Sequence, residues 1–148
     1  MPQIQNEYPK MADQNQVGGS HYKKMGQQPV DLFAATGCSF FEGSVIKYVC
    51  RYQEKNGIED LRKAKHYIRM ILEYEYKNLG FFGKIWKKFK GWRNKRRRQL
   101  ATKVFFFHNY PMEIEQELVI EFVLWHGDKT DLQAADELIQ DLIFRGME

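Results

Sequence analysis

The stretch FEGSVIKYVCRYQEKNGIEDLRKAKHYI (residues 41–68) carries the strongest structural signal in this sequence. In its first half, Val45, Ile46 and Val49 recur at the spacing of one helical face, and the Asn56-Gly57 dipeptide then interrupts the pattern. Beyond that break, apolar residues resume at helical spacing: Ile58, Leu61, Ala64, Ile68 and Leu72. Two amphipathic helices joined by a short break predict an antiparallel helical hairpin.

Polar residues at capping distance precede both helices of the hairpin. Ser39 and Glu42 stand three residues apart, as in a capping box, where each side chain bonds the other residue's backbone N–H. Asn56 and Glu59 repeat that spacing. We therefore expect the first helix to begin just after Ser39 and the second just after Asn56.

The rest of the chain predicts further helices and one extended segment. Pro29 can open a short helix that Gly37 ends. The run KVFFFHNY (103–110) is short and rich in aromatic residues that favour strands, so we interpret it as a strand or extended segment. Two C-terminal helices follow, with apolar stripes made of Ile114, Leu118, Phe122 and Trp125 in one and Leu132, Ala135, Leu138, Ile139 and Leu142 in the other.

These patterns predict a mainly α fold. We expect a compact helical domain built on the hairpin, a basic aromatic segment, and a C-terminal helical extension with room for one short strand pair. The expected boundaries are a flexible tail over 1–16, the helical domain over 17–78, the basic aromatic segment over 79–98 and an acidic extension over 99–148. A length of 148 residues suits one domain, or a compact core with an appendage.

Charge is distributed unevenly along the chain. The net charge is +4, but residues 81–98 hold nine of the 23 Lys and Arg residues and no acid, which leaves 14 basic against 19 acidic residues elsewhere. Three interpretations of this segment stay open: its aromatic face packs on the core, it lies on an anionic membrane, or it contacts nucleic acid through RNKRRR (93–98). Contact with the acidic residues 99–148, within the chain or between subunits, is a fourth.

Several functional classes lack their sequence signals. No 18-residue apolar run is present, so we expect no transmembrane helix, and the polar N-terminal residues predict no signal peptide. Walker A, GxGxxG, nucleophile-elbow and zinc-ligand spacings are also missing from the sequence. Cys38 and Cys50 follow no metal or redox spacing, and we expect them to be free thiols in the cytosol.

One face of the first hairpin helix carries side chains suited to a phosphorylated ligand. Ser44, Lys47, Tyr48 and Arg51 stand at i, i+3, i+4 and i+7. Lys47 and Arg51 can hold phosphate oxygens, and Tyr48 can position a base or sugar. The alternative is a solvated helix edge with Tyr48 half-buried. The second helix offers the same choice through its basic residues: Arg62, Lys63, Lys65, His66 and Arg69.

Three carboxylates near these basic residues are candidates for metal binding or catalysis. Glu59 and Asp60 could bind Mg²⁺, although capping and the helix dipole also account for acids in a first turn. Asp31, two residues after Pro29, is either a first-turn acid or a site carboxylate.

A glycine-led loop precedes the first helix. It reads VGGSHYKKMG (17–26) and offers hydrogen-bond donors and a ring from Ser20, His21, Tyr22 and Lys23. Beside the Lys47 and Arg51 face, this loop is a candidate lid over a phosphorylated ligand.

Three sequence blocks together resemble a family of small bacteriophage proteins. GGSHYKK (18–24), QPVDLF (28–33) and residues 41–68 are similar in order and spacing to this family, which includes the early nucleotide kinase of short-tailed coliphages. The likeness extends over about residues 17–76. The matching residues are Ser20, His21, Tyr22, Gln28, Asp31, Gly43, Lys47, Tyr48, Arg51, Lys55, Gly57, Glu59, Asp60, Leu61, Lys63, Ala64 and Tyr67. Ser44 departs from the family's usual Asn, which puts base or ribose recognition in question.

The resemblance implies a phage nucleotide-binding protein in the host cytoplasm. In its enzymatic form, ATP would donate a phosphoryl group to a (deoxy)nucleoside monophosphate, with Mg²⁺ as cofactor. Lys47 and Arg51 would neutralise phosphates while His21 or Lys23 closes over them. The carboxylate that holds Mg²⁺ would be Asp31 or Glu59.

Two other functions stay open. A binder without chemistry could sequester a host nucleotide immune signal, such as a cyclic nucleotide, in a pocket between the subunits of a homo-oligomer. An accessory protein could instead act on an anionic membrane or nucleic acid through residues 81–98.

Overall fold

Six helices and no strand make up the part of the chain that the structure describes. This computed structural model describes residues 22–77, 81–109 and 111–148, and gives only the backbone of 81–94. The helices are α1 (Pro29–Thr36), α2 (Phe40–Arg51), α3 (Ile58–Ile71), α4 (Phe81–His108), α5 (Ile114–Trp125) and α6 (Lys129–Arg145). A 3₁₀ turn (Tyr52–Glu54) follows α2, and a π-helical segment (Leu72–Lys77) continues α3. The prediction of a mainly helical fold is confirmed.

The predicted helical hairpin is formed by α2 and α3. The capping box at its start is present in both directions, since Glu42 N–H donates to Ser39 Oγ at 3.2 Å and Ser39 N–H donates to Glu42 Oε2 at 2.5 Å. The end of α2 meets the start of α3 through an ion pair between Arg51 and Asp60. At the opposite end, the rings of Phe41 and Tyr74 lie 5.6 Å apart. The two helices are therefore antiparallel.

The residue that caps the second hairpin helix differs from the prediction. Gly57, with φ of +52°, is the residue that caps α3, whereas Asn56 was expected to do so. The Asn56 amide instead donates to Asp60 Oδ1 at 3.2 Å. A positive φ favours glycine, so the chain turns at Gly57, and the Asn56 side chain is released to bond a buried carboxylate.

The strand prediction for 103–110 is wrong. Residues up to His108 belong to α4, and residue 110 lies outside the described part. Helical geometry buries Thr102 and Phe105 on one side while leaving Phe107 in solvent. After the last turn, the Asn109 side chain donates to Phe105 O at 3.0 Å and to Gln27 O at 3.0 Å. Burial of Phe105 and these end contacts outweigh the local preference of aromatic residues for strands.

The apolar stripe predicted for α5 is correct only in part, since Phe122 and Trp125 pack against the core but Ile114 does not. Ile114 is 68% exposed, whereas the side chains that enter the core are Val119, Ile120, Val123 and Leu124. This helix is apolar nearly all round and contacts α2, α4 and α6. Periodicity alone therefore could not identify its most buried face. In α6, the predicted stripe is confirmed at Leu132, Ala135, Ile139 and Leu142, which are buried, with Leu138 packed beside them.

One hydrophobic core is shared by all six helices. Its fully buried members include Leu32 from α1, Ile46 from α2, Ile68 from α3, Phe105 from α4 and, from the last two helices, Ile120 and Ile139. The free thiols predicted for Cys38 and Cys50 are confirmed, and both pack against this core. Among the described residues, no helix has the length and apolar character needed to cross a membrane.

Arg98 fastens α4 to the ends of three other helices. Its Nη1 lies 2.9 Å from Glu42 Oε1 in α2 and donates to Leu124 O at 2.8 Å, while its Nε donates to Thr36 O at 3.3 Å. Both side chains of the Arg98–Glu42 pair are largely buried. The basic segment predicted over 79–98 is thus helical from Phe81 onward, and its last arginine, Arg98, joins α4 to the neighbouring helices. Packing of its aromatic side chains lies outside the described residues.

Candidate functional site

The loop ahead of α1 folds against the C-terminal end of α2. The Tyr22 side chain interacts electrostatically with Arg51, and Lys24 Nζ lies 3.0 Å from Glu54 Oε2. Gly26 passes so close to α4 that a Cβ there would sit 2.1 Å from the carbonyl oxygen of His108. Only glycine fits this crossing, which fixes where the loop runs. Ser20 and His21, the first half of the proposed lid, lie outside the described residues.

Arg51 and Asp60 form a buried ion pair at the base of the candidate site. Arg51 Nε lies 2.9 Å from Asp60 Oδ2, and Nη2 lies 3.1 Å from Oδ1, so the contact is bidentate. Burial alone would raise the pKa of Asp60, but the hydrogen bonds from Arg51 and Asn56 outweigh it and hold that pKa below its ordinary value. Burial also raises the pKa of Tyr22 in spite of the neighbouring Arg51 cation. Asp60 is therefore an ionised partner of Arg51 rather than an open metal ligand.

Tyr48 stands at the centre of a group of cations. The Arg51 guanidinium carbon lies 4.8 Å from the centre of its ring, Lys47 Nζ 5.7 Å and Lys63 Nζ 5.9 Å. The ring of Tyr67, from α3, stacks on Tyr48 with centres 5.9 Å apart and planes inclined by 18°. Three cations around one aromatic ring are each attracted by its negative face. The hairpin thus brings the predicted α2 face and Lys63 together.

An open depression lies beside the Tyr48 ring. Its volume is about 380 Å³, and it lies between the two hairpin helices. The residues that line it are Tyr48, Glu59, Arg62, Lys63, His66 and Tyr67. Glu59 is bound to Lys63 at 2.5 Å, a hydrogen bond that raises the pKa of Lys63 and keeps it protonated. The depression therefore combines an aromatic wall with two cations, Arg62 and Lys63, and one carboxylate, Glu59, which leaves an excess of positive charge suited to an anion that also carries a flat ring.

The other predicted site residues have separate places. Asp31 accepts a hydrogen bond from Gln28 N–H at 2.9 Å and closes the capping box of α1, so it is engaged in a local role. Ser44 is half-buried on α2, and Lys47 is exposed one turn further along. Lys23 is exposed on the loop. None of these four lines the depression itself, although Lys47 reaches the Tyr48 ring beside it.

Several residues of this region were not singled out from the sequence. Tyr67 matched the phage family, but nothing in the sequence indicated that it would stack on Tyr48. Arg62 and His66 were two of five basic residues on α3, and the structure selects them because they line the depression. Lys65, in contrast, points to α6, where it bonds Asp136 at 3.0 Å. The sequence did contain one signal for Tyr67: it stands four residues after Lys63, which puts both side chains on one helical face.

The two carboxylates predicted as Mg²⁺ ligands, Glu59 and Asp60, both contact neighbouring side chains. In the described ranges, no three His, Cys, Asp or Glu side chains come together as a metal cluster. Both oxygens of Asp60 are occupied by Arg51 and Asn56. Glu59 stands in the depression, but it is bound to Lys63.

Comparison with known proteins identifies one family model. A model described as a protein of unknown function, DUF3310, matches residues 16–69, which run from ahead of the loop to within α3. This is the part of the chain that holds Tyr22, Tyr48, Arg51 and Lys63. No curated protein and no solved structure matches the chain.

Proposed function

We propose that this protein binds a nucleotide at the depression between α2 and α3. The observation that carries the proposal is the Tyr48 ring with three cations 4.8–5.9 Å from its centre. In this arrangement the base or sugar of the ligand lies against Tyr48 and Tyr67. Lys47, Arg62 and Lys63 hold the phosphates through charge-assisted hydrogen bonds, with Lys63 exchanging its exposed ion pair with Glu59 for the ligand. The resemblance to the phage nucleotide kinase family supports the same assignment over the same residues.

Binding is better supported than phosphoryl transfer. Transfer from ATP requires cations and Mg²⁺ placed around the moving phosphoryl group. Arg51 is committed to Asp60, and Glu59 to Lys63, so these groups are already paired before a ligand arrives. Mg²⁺ is usually held by one or two carboxylates together with substrate phosphates. In an enzymatic version, Glu59 is the carboxylate best placed to take part, and it would have to leave Lys63.

The open shape of the depression bears on the non-catalytic alternatives. A protein that sequesters a host cyclic nucleotide signal would need to enclose it, whereas this depression faces solvent within one chain. Sequestration therefore requires a second subunit or the loop that includes His21 to close the site. Reversible binding of a nucleotide in the cytoplasm of a phage-infected cell requires neither.

A binding and turnover experiment tests the proposal. Isothermal titration calorimetry of the purified chain with a panel of nucleoside monophosphates and ATP measures affinity, and chromatography after incubation with ATP and Mg²⁺ detects any diphosphate formed. We expect Lys63→Ala to weaken binding about tenfold or more, because a charge-assisted hydrogen bond contributes about 1.5–3 kcal/mol. Mass spectrometry of nucleotides released on denaturation identifies a ligand carried through purification.

Lys103→Ala is the matched control. Lys103 is exposed on α4, away from the lining of the depression, so its loss should leave affinity unchanged. The proposal is wrong if no nucleotide of the panel binds, or if Lys63→Ala and Lys103→Ala behave alike. Diphosphate production that disappears in Lys63→Ala would instead establish the kinase version.

A further inference from the structure

Aromatic rings continue beyond the depression along the outer side of the hairpin. From the stacked Tyr48 and Tyr67 pair, the next ring is Phe40, whose centre lies 6.0 Å from that of Tyr67. Phe41 lies 5.9 Å from Phe40 and 6.4 Å from Tyr67, and Tyr74 lies 5.6 Å from Phe41. We call these five residues the aromatic row. It connects the depression with the start of α2 and the π-helical segment after α3.

The far end of the aromatic row is open to solvent. Phe40 is 75% exposed, and Tyr74 is exposed as well. Phe40 is nevertheless held in place, because it is the first residue of α2 and directly follows the Ser39 cap. Two exposed rings joined by half-buried ones on a fixed backbone form a contiguous aromatic surface, which marks an interaction surface where a single exposed apolar residue would not.

Positive charge is concentrated at the depression end of the aromatic row. At the depression end stand Lys47, Arg62 and Lys63. An anionic partner complements this pattern.

We propose that the aromatic row binds single-stranded nucleic acid, with successive bases stacked on its exposed rings. The inference rests on the proposed nucleotide site, which takes one nucleotide of the strand at Tyr48. Rings supply stacking to every kind of base, and the cations at the depression end hold phosphates of the nucleotides bound there. Unpaired bases are needed because the rings contact base faces, which a duplex conceals. The same row accepts DNA or RNA, since stacking does not involve the 2′-hydroxyl.

The test compares one nucleotide with a strand. Fluorescence anisotropy with labelled oligothymidylate and oligouridylate of increasing length gives strand affinity, and calorimetry with dTMP and UMP gives mononucleotide affinity. We expect affinity to rise with length and to fall steeply with salt. Phe40→Ser should weaken strand binding about fivefold or more while leaving mononucleotide binding unchanged, because stacking on one ring contributes at least that factor per base.

Phe107→Ser is the matched control, because Phe107 is 82% exposed on α4 and is not part of the aromatic row. Equal weakening by Phe40→Ser and Phe107→Ser overturns the inference. Mononucleotide binding without any gain from length overturns it too but leaves the nucleotide site intact, whereas no binding of either probe refutes both proposals. A dimer that Phe40→Ser dissociates, seen by sedimentation, together with no strand binding, would make the aromatic row a contact between two copies and overturn the inference.

Discussion

Removing one partner of the Arg51–Asp60 pair should cost far more stability than replacing both. The two side chains are 10% and 0% exposed, and they share hydrogen bonds of 2.9 and 3.1 Å. Asp60→Leu leaves a buried guanidinium without its counter-ion, and Arg51→Met leaves a buried carboxylate with only Asn56. Each single change should lower the free energy of unfolding by about 3–5 kcal/mol.

The double variant Arg51→Met/Asp60→Leu should recover most of that loss. An apolar pair of similar volume is often as stable as a buried ion pair. We expect a remaining deficit of about 1 kcal/mol, from the lost hydrogen bond between Asn56 and Asp60. Urea unfolding followed by circular dichroism measures all four proteins, and Arg69→Met, at an exposed arginine on α3, is the control.

The same variants decide what Arg51 does for the ligand. If Arg51 acts by holding the hairpin, the double variant should keep nucleotide affinity within a few-fold of the original. The reasoning is refuted if Arg51→Met is nearly as stable as the original but binds nucleotide much more weakly. That result would make Arg51 a phosphate-binding cation, as its position at i+4 from Lys47 first suggested.

Three further predictions address pH, the tie from α4 and thiol chemistry. Because the folded-state pKa of Asp60 is lowered, its contribution to stability is present above about pH 3.9 and is lost as the pH falls through the folded-state value, so Asp60→Asn should flatten the acid limb of urea midpoints against pH. Arg98→Met should lower the free energy of unfolding by about 3 kcal/mol, because it leaves Glu42 buried without its cation. Arg97 is exposed, so Arg97→Met should lower it by about 0.5 kcal/mol or less. Thermal unfolding measures both variants, and equal changes in melting temperature would contradict this prediction. Burial raises the pKa of Cys50 to about 12, so about one thiol in ten thousand is ionised at pH 8, and mass spectrometry should find Cys50 alkylated by iodoacetamide only after unfolding.

The hairpin could be predicted because its determinants are local. The repeat of Val45, Ile46 and Val49, the capping box of Ser39 with Glu42, and a break at Gly57 all act within a few residues. Such signals need no knowledge of what packs against them. The helical class of the protein followed from the same kind of reasoning.

Errors arose where distant packing decides the outcome. The run at 103–109 is helical because Phe105 enters a core built by other helices, which its own aromatic neighbours do not reveal. In α5, three neighbouring helices together determine that Val123 is buried and Ile114 exposed. Both cases are tertiary contacts that override local preference.

The candidate site shows the same division. Spacing on one helix put Lys47, Tyr48 and Arg51 on a common face, and that grouping is present in the structure. The stacking of Tyr67 depends on the register between two helices, which sequence spacing does not contain. From the sequence, Asp60 could be either a Mg²⁺ ligand or a first-turn acid. Only its distance to Arg51 in the structure identifies the ion pair.

The shared core has a consequence for the order in which the chain can fold during synthesis. The hairpin leaves the ribosome early, but its apolar face is covered by α5 and α6, and Gly146 packs against Ile58 at the start of α3. Until α6 has emerged, the part of α3 that packs against it is uncovered. We therefore expect this apolar face of the nascent chain to stay exposed to solvent or bound by chaperones. It becomes buried only after α6 has been translated.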